Sequence, residues 1–306
     1  MTQPGPFRVR AHAKVNLTLR VGAVQADGYH PLRTVFQSLA LHDTLEIRPK
    51  RGPFALTCDD PGVPIDGRNL VTRAAFGLWA ALGRSGAPGG VAVHLTKHIP
   101  MQAGLGGGSA DAAAALAALA RVWTPRGPRV DLAPIAARLG SDVPYFLVGG
   151  AALGLGRGDE LFPLVDLPAF FVVLALPGFG VPTADAYRWF DEDSEAGCAA
   201  TLGAGSIRAW RGLKLDLVND LEGPVTRRHP VIASIRRVLN ESGAAASAMT
   251  GSGSAVFGLF ATRTGARRAA RAVAEAGCAA ILTRTVDRRT FQRVHFSFAS
   301  SSPRHA

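Results

Sequence analysis

From Phe7 to Leu19 the chain alternates: Val9, Ala11, Ala13, Val15, Leu17 and Leu19 fall on one side, Arg10, His12, Lys14, Asn16 and Thr18 on the other. A period of two predicts a β-strand with one polar face. ADGYHPL then reads as a turn, and LRTVFQSLALHDTLEIRP resumes strand-like apolar character until the Pro/Gly/Asp-rich stretch from Pro61 to Gly67. Asn69 to Leu82, rich in Ala and Leu, predicts a helix stopped by Gly83. GVAVHLTKHIP alternates again, with Val91, Val93 and Leu95 on one face, and leads into HIPMQAGLGGGSADAAAAL.

That stretch sets four glycines, Gly104, Gly106, Gly107 and Gly108, before an alanine-rich helix from Ser109 to Trp123. Ser109 is the expected N-cap and Asp111 an acid in the first turn, where the helix dipole favours negative charge. Pro125 ends the helix. Leu132 to Leu139 predicts another short helix, LGSDVP a tight connection, and VPYFLVGGAALGLGRGDEL strands bent at glycine. A boundary falls near Leu161 to Leu167, after which PAFFVVLALPG opens a second lobe with a buried strand and PTADAYRWF starts a helix. A Ser/Ala/Gly-rich loop is expected near 194–206, helices near 216–228 and 230–241, and strand, glycine turn and strand in SAMTGSGSAVFGLF. GARRAARAVAEAG predicts a helix bracketed by Gly265 and Gly277, followed by a final strand and a disordered tail after Ala299. No internal repeat is present, and interspersed strands and helices point to two α+β lobes, residues 1–162 and 163–306.

Composition narrows the class. The 306 residues are 47% hydrophobic and 19% charged, which suits a folded globular protein. Thirty-four Lys and Arg against 23 Asp and Glu give a net charge of +11, compatible with nucleic acid, an anionic surface or polyanionic small substrates. The basic residues come as singles and pairs, such as Arg227 and Arg228 or Arg267 and Arg268, without a dense block or interleaved aromatics, so no nucleic-acid partner is expected. Cys58, Cys198 and Cys278 form neither a disulfide framework nor a zinc cluster. The start, MTQPGPFRVRAH, has no apolar signal core, and the longest apolar runs are too short to span a bilayer. The expectation is a cytoplasmic protein with no membrane partner. His42, His94, His98, His229 and His295 lack ligand spacing, so no resident metal is expected.

Three stretches carry candidate chemistry. Glycines let backbone N–H groups approach a phosphate closely, and the helix that follows offers unpaired donors at its positive end. The loop is not GxxxxGK[ST], because Gly108, Ser109 and Ala110 stand where that pattern needs Lys, nor does it fit a dinucleotide fingerprint. A plain flexible connector stays open from this stretch alone. Lys14 and Asn16, two apart, point the same way, and a Lys among apolar neighbours needs a reason, one candidate being a carboxylate. Asp142, in the turn LGSDVPYF, is placed to cap the chain or to act as a base.

In this order AKVNLTL, ADGYHPL, HIPMQAGLGGGSADAA, LGSDVPYF, LPGFGVPT and TGSGSAVFGLF resemble the GHMP family of small-molecule kinases, over about Ala13 to Phe260. GLGGGS identifies the superfamily; AKVNLTL with DGYH and LGSDVP is similar to its branch acting on a cytidylyl methylerythritol. The resemblance implies a ribosomal protein S5 domain 2-like N-terminal lobe and a ferredoxin-like C-terminal lobe. It implies ATP, with Mg²⁺ arriving on the nucleotide, and phosphorylation of the 2-hydroxyl of that small-molecule acceptor, by a monomer or weak homodimer. The family's phosphate loop falls on Pro100, Met101, Gln102, Ala103, Gly104, Leu105, Gly106, Gly107, Gly108, Ser109 and Ala110, with adenine contacts on Asn69 and Lys97. The catalytic pair falls on Lys14 and Asp142, and substrate contacts on Asn16, Tyr29, His30 and Tyr187, the last an aromatic placed to stack on a pyrimidine. Gly251 and Gly253 fall in the family's third motif, near the active site.

The sequence departs from the family pattern at Gln102 and Ala103, where some relatives carry glycine, and at Ala110, where many carry a second serine. Two rivals remain: a superfamily kinase for another alcohol such as homoserine or mevalonate, against which DGYH and LGSDVP weigh, and a non-catalytic RNA- or anion-binding protein.

Overall fold

The computed structural model describes residues 5–125, 130–195, 217–295 and 299–300. Its spine is the predicted first strand, β1 (Phe7–Val21), paired antiparallel along its length with the long β2 (Leu32–Pro53). β4 (Gly89–Thr96) and β3 (Ala55–Cys58) extend the sheet beyond the C-terminal half of β2, while β5 (Ala151–Leu155) pairs with its N-terminal half and carries β6 (Glu160–Pro163). Helices α1 (Leu70–Ala81), α2 (Gly107–Trp123), α3 (Ala133–Leu139) and the turn α4 (Tyr145–Val148) pack on this sheet.

The second sheet holds β7 (Phe171–Leu176), β9 (Ala246–Met249), β10 (Val256–Phe260) and β11 (Ala279–Arg284) in the order β11-β7-β10-β9, all pairs antiparallel. Counted in chain order this is 4-1-3-2, the ferredoxin-like arrangement. Helices α5 (Thr183–Glu195), α6 (Glu222–Arg228), α7 (Val231–Glu241) and α8 (Arg263–Glu275) pack against it. The two-lobed α+β expectation therefore holds. We propose the lobe division at residue 162/163, inside β6. Two short pieces of later chain return to the first sheet: β8 (Val218–Asn219) lies parallel to β1 at Thr18 and Leu19, and β12 (Ala299–Ser300) pairs with Phe7 and Arg8.

β1 ties the lobes together. Val9 and Ala11 belong to the first lobe's core, Ala13, Val15 and Leu17 pack with Val172, Leu174 and Phe257 of the second sheet, and Leu19 and Val21 join the second lobe's core. The polar face of β1 is buried as well: His12, Lys14 and Asn16 are each 3% exposed and Thr18 is 6% exposed. The reason is coverage from both sides. His12 packs against Phe291 of α9 (Arg288–His295), and Lys14 and Asn16 lie under the glycine loop and Thr250.

Several local expectations are corrected. The central helix begins at Gly107, with Gly106 in the left-handed conformation (φ 73°) as its cap; Ser109 is the third helical residue, not the N-cap. Only glycine takes that φ without strain, so the chain turns into the helix before Ser109. Asp111 is consequently the fifth residue, outside the first turn, and is held by Lys97 instead of the dipole. Tyr145–Val148 is helical, not strand. Gly265 lies inside α8, which is capped by the Thr262 hydroxyl accepting from the Gly265 amide at 3.2 Å. Where a helix was expected from 216, Val218–Asn219 is strand and α6 starts at Glu222, because the Asn219 side chain accepts from the Leu221 amide. α9 follows β11 where only a strand was foreseen. The 194–206 loop begins within α5 at Ser194 and Glu195, and its remainder, with Cys198, lies outside the described residues. Of the tail after Ala299, Ser300 is strand and 301–306 lie outside the described residues. No helix among the described residues is long and apolar enough to cross a membrane.

Candidate active site

α2 is enclosed almost all round: Ala110, Ala112 to Ala115, Leu116, Ala118 and Leu119 are buried. Alanine makes this possible, since a helix without bulk or polarity on any side can sit inside a lobe. Its N-terminus opens on a cleft of about 660 Å³ between the lobes, lined by the loop from Pro100 to Ser109 and by Lys14, Asn16, Asp142, Thr183, Tyr187 and Gly251. The amides of Gly107, Gly108 and Ser109 precede the first intrahelical bond, Ala110 N–H to Gly106 O at 2.9 Å, so they are free to serve an anion.

The loop is fixed from both lobes. The Lys14 amide donates to the Leu105 carbonyl at 3.0 Å, and the Thr250 hydroxyl lies 3.2 Å from the Gly104 carbonyl while accepting from the Asn16 amide at 3.1 Å. Space dictates two of the glycines. A Cβ at Gly104 (φ 72°) would stand 2.0 Å from the Thr250 carbonyl oxygen, and one at Gly106 would stand 2.7 Å from the Phe146 ring. Gln102, where some relatives carry glycine, adopts φ 53°, the one non-glycine residue with positive φ among those described.

Lys14 has a carboxylate beside it: its Nζ lies 3.5 Å from Asp142 Oδ2 and donates to Asn16 Oδ1 at 2.7 Å. Asn16 in turn donates to the Thr34 hydroxyl at 2.7 Å, which fixes its amide orientation. The structure thus gathers Lys14, Asn16 and Asp142 beside the glycine loop. Asp142 is about one third exposed and faces the cleft.

Lys97 and Asn69 are differently employed. Lys97 Nζ is clamped between Asp43 and Asp111, with 2.8 Å to the latter; Asp43 also accepts from the Ile99 amide at 2.8 Å and from the His98 amide. Burial lowers the Lys97 ammonium pKa, but the two carboxylates outweigh it and the net shift is upward. Burial, against the pull of Lys97 and with the repulsion of Asp43, drives the Asp111 carboxyl well above the usual range. This ion cluster anchors the segment leading into the loop to β2 and α2. Asn69 caps α1, accepting from the Val71 amide at 2.8 Å and donating to the Pro64 carbonyl at 2.7 Å. Lys97 borders the cleft; Asn69 does not.

A second cavity of about 1180 Å³ adjoins the first through Leu32, Gly140, Ser141, Thr183 and Tyr187. Tyr29, His30, Arg157 and Asp191 line it. The Tyr29 ring is half exposed, with the Arg157 guanidinium 3.7 Å from its centre. His30 Nδ1 lies 2.8 Å from the Gly22 carbonyl, and its ring stacks on Tyr187 at 5.2 Å. Burial and the neighbouring Asp142 raise the Tyr187 phenol pKa, so it stays neutral. Tyr29, His30 and Tyr187 thus share the second cavity, and Tyr187 also borders the cleft that holds the loop.

Sequence reasoning missed Thr34, Asp43, Thr250, Asn219 and Asp191. Asn219 donates to the Met249 and Gly251 carbonyls at 2.8 Å each, shaping the third motif. Asp43 carried a legible signal, an acid inside an apolar strand.

The fold and the cleft define a GHMP kinase: residues 69–150 match the GHMP kinases N terminal domain and residues 198–278 the GHMP kinases C terminal family. A 4-diphosphocytidyl-2-C-methyl-D-erythritol kinase of Solibacter usitatus is 44% identical over 275 residues, covering 87% of this chain and 85% of its own length. One from Deinococcus radiodurans is 42% identical, covering 89% and 91%. A solved structure of a 4-(cytidine 5'-diphospho)-2C-methyl-D-erythritol kinase superimposes with a TM-score of 0.76 at 39% identity, covering 91% of this chain and 98% of its own. The chain belongs to the 4-diphosphocytidyl-2-C-methyl-D-erythritol kinase family.

Proposed function

We infer that the protein transfers the γ-phosphoryl group of ATP to the 2-hydroxyl of 4-diphosphocytidyl-2-C-methyl-D-erythritol, a step of non-mevalonate isoprenoid precursor synthesis. Family membership supports this reading, and one observation carries its chemistry: the Lys14–Asp142 pair at 3.5 Å faces the same cleft as the amides opening α2. The ATP phosphates lie over Gly104 to Ala110, with Pro100 to Ala103 forming the approach and Lys97 on the adenine side, while Asn69 acts from behind as the cap of α1. The acceptor lies with its reacting hydroxyl at Asn16 and Asp142 and its cytidylyl end toward Tyr29, His30 and Tyr187 in the larger cavity.

In transfer, the acceptor oxygen bonds to the γ-phosphorus as the bond to the β,γ-bridging oxygen breaks, and ADP departs. Asp142 takes the hydroxyl proton or holds it in line. Lys14, 3.5 Å from that carboxylate, offsets charge on the phosphoryl oxygens. Most of the acceleration comes from positioning and electrostatics. Asp142 and the Ser109 hydroxyl are among the oxygen groups lining the cleft, with Ser141, Thr183 and Ser252; one carboxylate among hydroxyls would suit Mg²⁺ carried on the triphosphate better than a protein cage. The chemistry such an ion would supply is neutralisation of phosphate charge. The basic balance of the chain suits two polyanionic substrates, and we take the working unit to be a cytoplasmic monomer or weak homodimer with no nucleic-acid or membrane partner.

The test is ADP release with the cytidylyl methylerythritol, homoserine, mevalonate or no acceptor. Release with the first alone is expected; release with none of them sinks the kinase reading.

A further inference from the structure

We propose that the cavity where β2, β11 and the start of α8 meet is an effector site for a phosphate monoester of an apolar alcohol, and that its occupancy weakens ATP binding. The cavity, of about 610 Å³, shares no lining residue with the active-site cleft. It lies at the junction of the lobes, beside the hydrogen bond from the Leu41 amide to the Thr283 hydroxyl at 2.9 Å. Its walls are of two kinds. Leu41, Phe171 and Leu282 are half-buried and give it an apolar floor, while Arg263, Arg284 and His98 are exposed and give it a basic rim.

Among the described residues no carboxylate lines this cavity, and neither Arg263 nor Arg284 is in an ion pair with a described residue. Arg267 and Arg271 follow Arg263 at four-residue spacing along one exposed face of α8, so the positive field extends past the rim. His42 lines the cavity with its Nδ1 2.8 Å from the Ala40 carbonyl; a carbonyl only accepts, so that nitrogen carries a hydrogen. Burial lowers the His42 imidazolium pKa, and Arg10 and His98 push the same way against the Ala40 bond and Asp43, so the ring is neutral. The charge therefore comes from the arginines, whose forks suit phosphate oxygens, and two of them match a dianion. Inorganic phosphate alone leaves the apolar floor in water; an ester with an apolar chain covers it.

His98 links this site to the other. The next residue, Ile99, lines the active-site cleft, and Asp43 accepts from both amides while clamping Lys97. A ligand that draws the His98 side chain into the cavity pulls against that clamp at the point where the chain enters the phosphate loop.

The test is calorimetric titration of the full chain with octyl phosphate, inorganic phosphate and octanol, each alone and followed by a non-hydrolysable ATP analogue. Octyl phosphate should bind at least about tenfold more tightly than either fragment and, at saturation, weaken the analogue about fivefold or more, the scale of ordinary coupling between sites. Replacing both rim arginines, Arg263→Gln with Arg284→Gln, should weaken octyl phosphate at least about tenfold and abolish its effect on the analogue. Affinity for the analogue alone should stay within about twofold in that variant, which also shows that it is folded. Leu282→Ser should weaken octyl phosphate and leave inorganic phosphate unchanged. Octyl phosphate acting undiminished on the double variant would place it in the cleft and overturn the proposal, as would equal binding of inorganic phosphate or an analogue affinity that octyl phosphate does not move. Co-sedimentation with vesicles of phosphatidic acid and phosphatidylcholine separates a soluble ester from a lipid surface: none is expected, and vesicle binding lost in the double variant would overturn the soluble ligand.

Discussion

Lys14 Nζ stands 3.5 Å from Asp142 Oδ2 although the two residues come from opposite ends of the first lobe's sequence, one on the central strand and one in the turn after α3. The pair is asymmetric in exposure, 4% for the lysine side chain and 34% for the aspartate. The lysine is enclosed among its partners Asn16 and Asp142, whereas the aspartate keeps access to the cleft. That division suits a fixed cation behind a working carboxylate.

Asp142→Asn removes the proton acceptor and preserves shape, so turnover should fall by about 10³-fold, within the range typical of acid–base groups. Lys14→Ala should cost as much, with some loss of stability because Asn16 and Phe36 lose a packed neighbour. Binding of an ATP analogue, measured by calorimetry, should survive in both. Turnover near that of wild type in either variant removes the residue from the mechanism.

Tyr187 joins the two cavities, and its ring is the platform on which His30 stacks. Tyr187→Ala should raise KM for the cytidylyl acceptor about ten- to a hundredfold, the range expected from losing about 1–3 kcal/mol of base stacking. KM for ATP should move less than threefold. Steady-state kinetics with each substrate varied in turn separates the two.

The alternation of β1 was legible in the sequence, and so was the phosphate loop, because glycine clustering and helix composition are local. What escaped was whatever depends on a distant partner. Thr250 and Asn219 acquire their roles only when the second lobe closes over Asn16 and Gly104. What covers the polar side of β1 was not legible either, because a period of two says only which residues share a face. Ser109 looked like a cap because serine usually is one; a glycine in the left-handed region three residues earlier took the position.

Gly104 and Gly83 separate backbone strain from collision. Both have positive φ, 72° and 68°, but an added Cβ meets the Thr250 carbonyl oxygen at 2.0 Å in the first and nothing within 4 Å in the second. Gly83→Ala pays the left-handed cost alone, about 1 kcal/mol. Gly104→Ala must also push the loop off the second lobe, so its melting temperature should fall further and its KM for ATP should rise at least tenfold. Thermal melts and ATP kinetics on the two variants make the comparison; equal effects would mean the loop tolerates displacement.

The Lys97 cluster predicts a pH dependence of stability. Asp111 is buried, with its carboxyl pKa raised above the unfolded value, so between the two values the folded state holds more protons than the unfolded one. Its contribution is complete below the ordinary carboxylate range and is lost as pH rises toward the folded value. Lys97, raised above its usual value, loses its contribution only in strongly alkaline solution and leaves the neutral range flat. The urea midpoint of wild type should therefore carry a component that declines from about pH 5 toward neutrality, in the direction opposite to a salt-bridged surface carboxylate. Asp111→Asn, which can still accept from Lys97, removes the titration and should flatten that component, so that the midpoints of variant and wild type differ more at pH 5 than at pH 8 in wild type's favour. A pH-independent difference between them would show that Asp111 holds the same protonation state folded and unfolded.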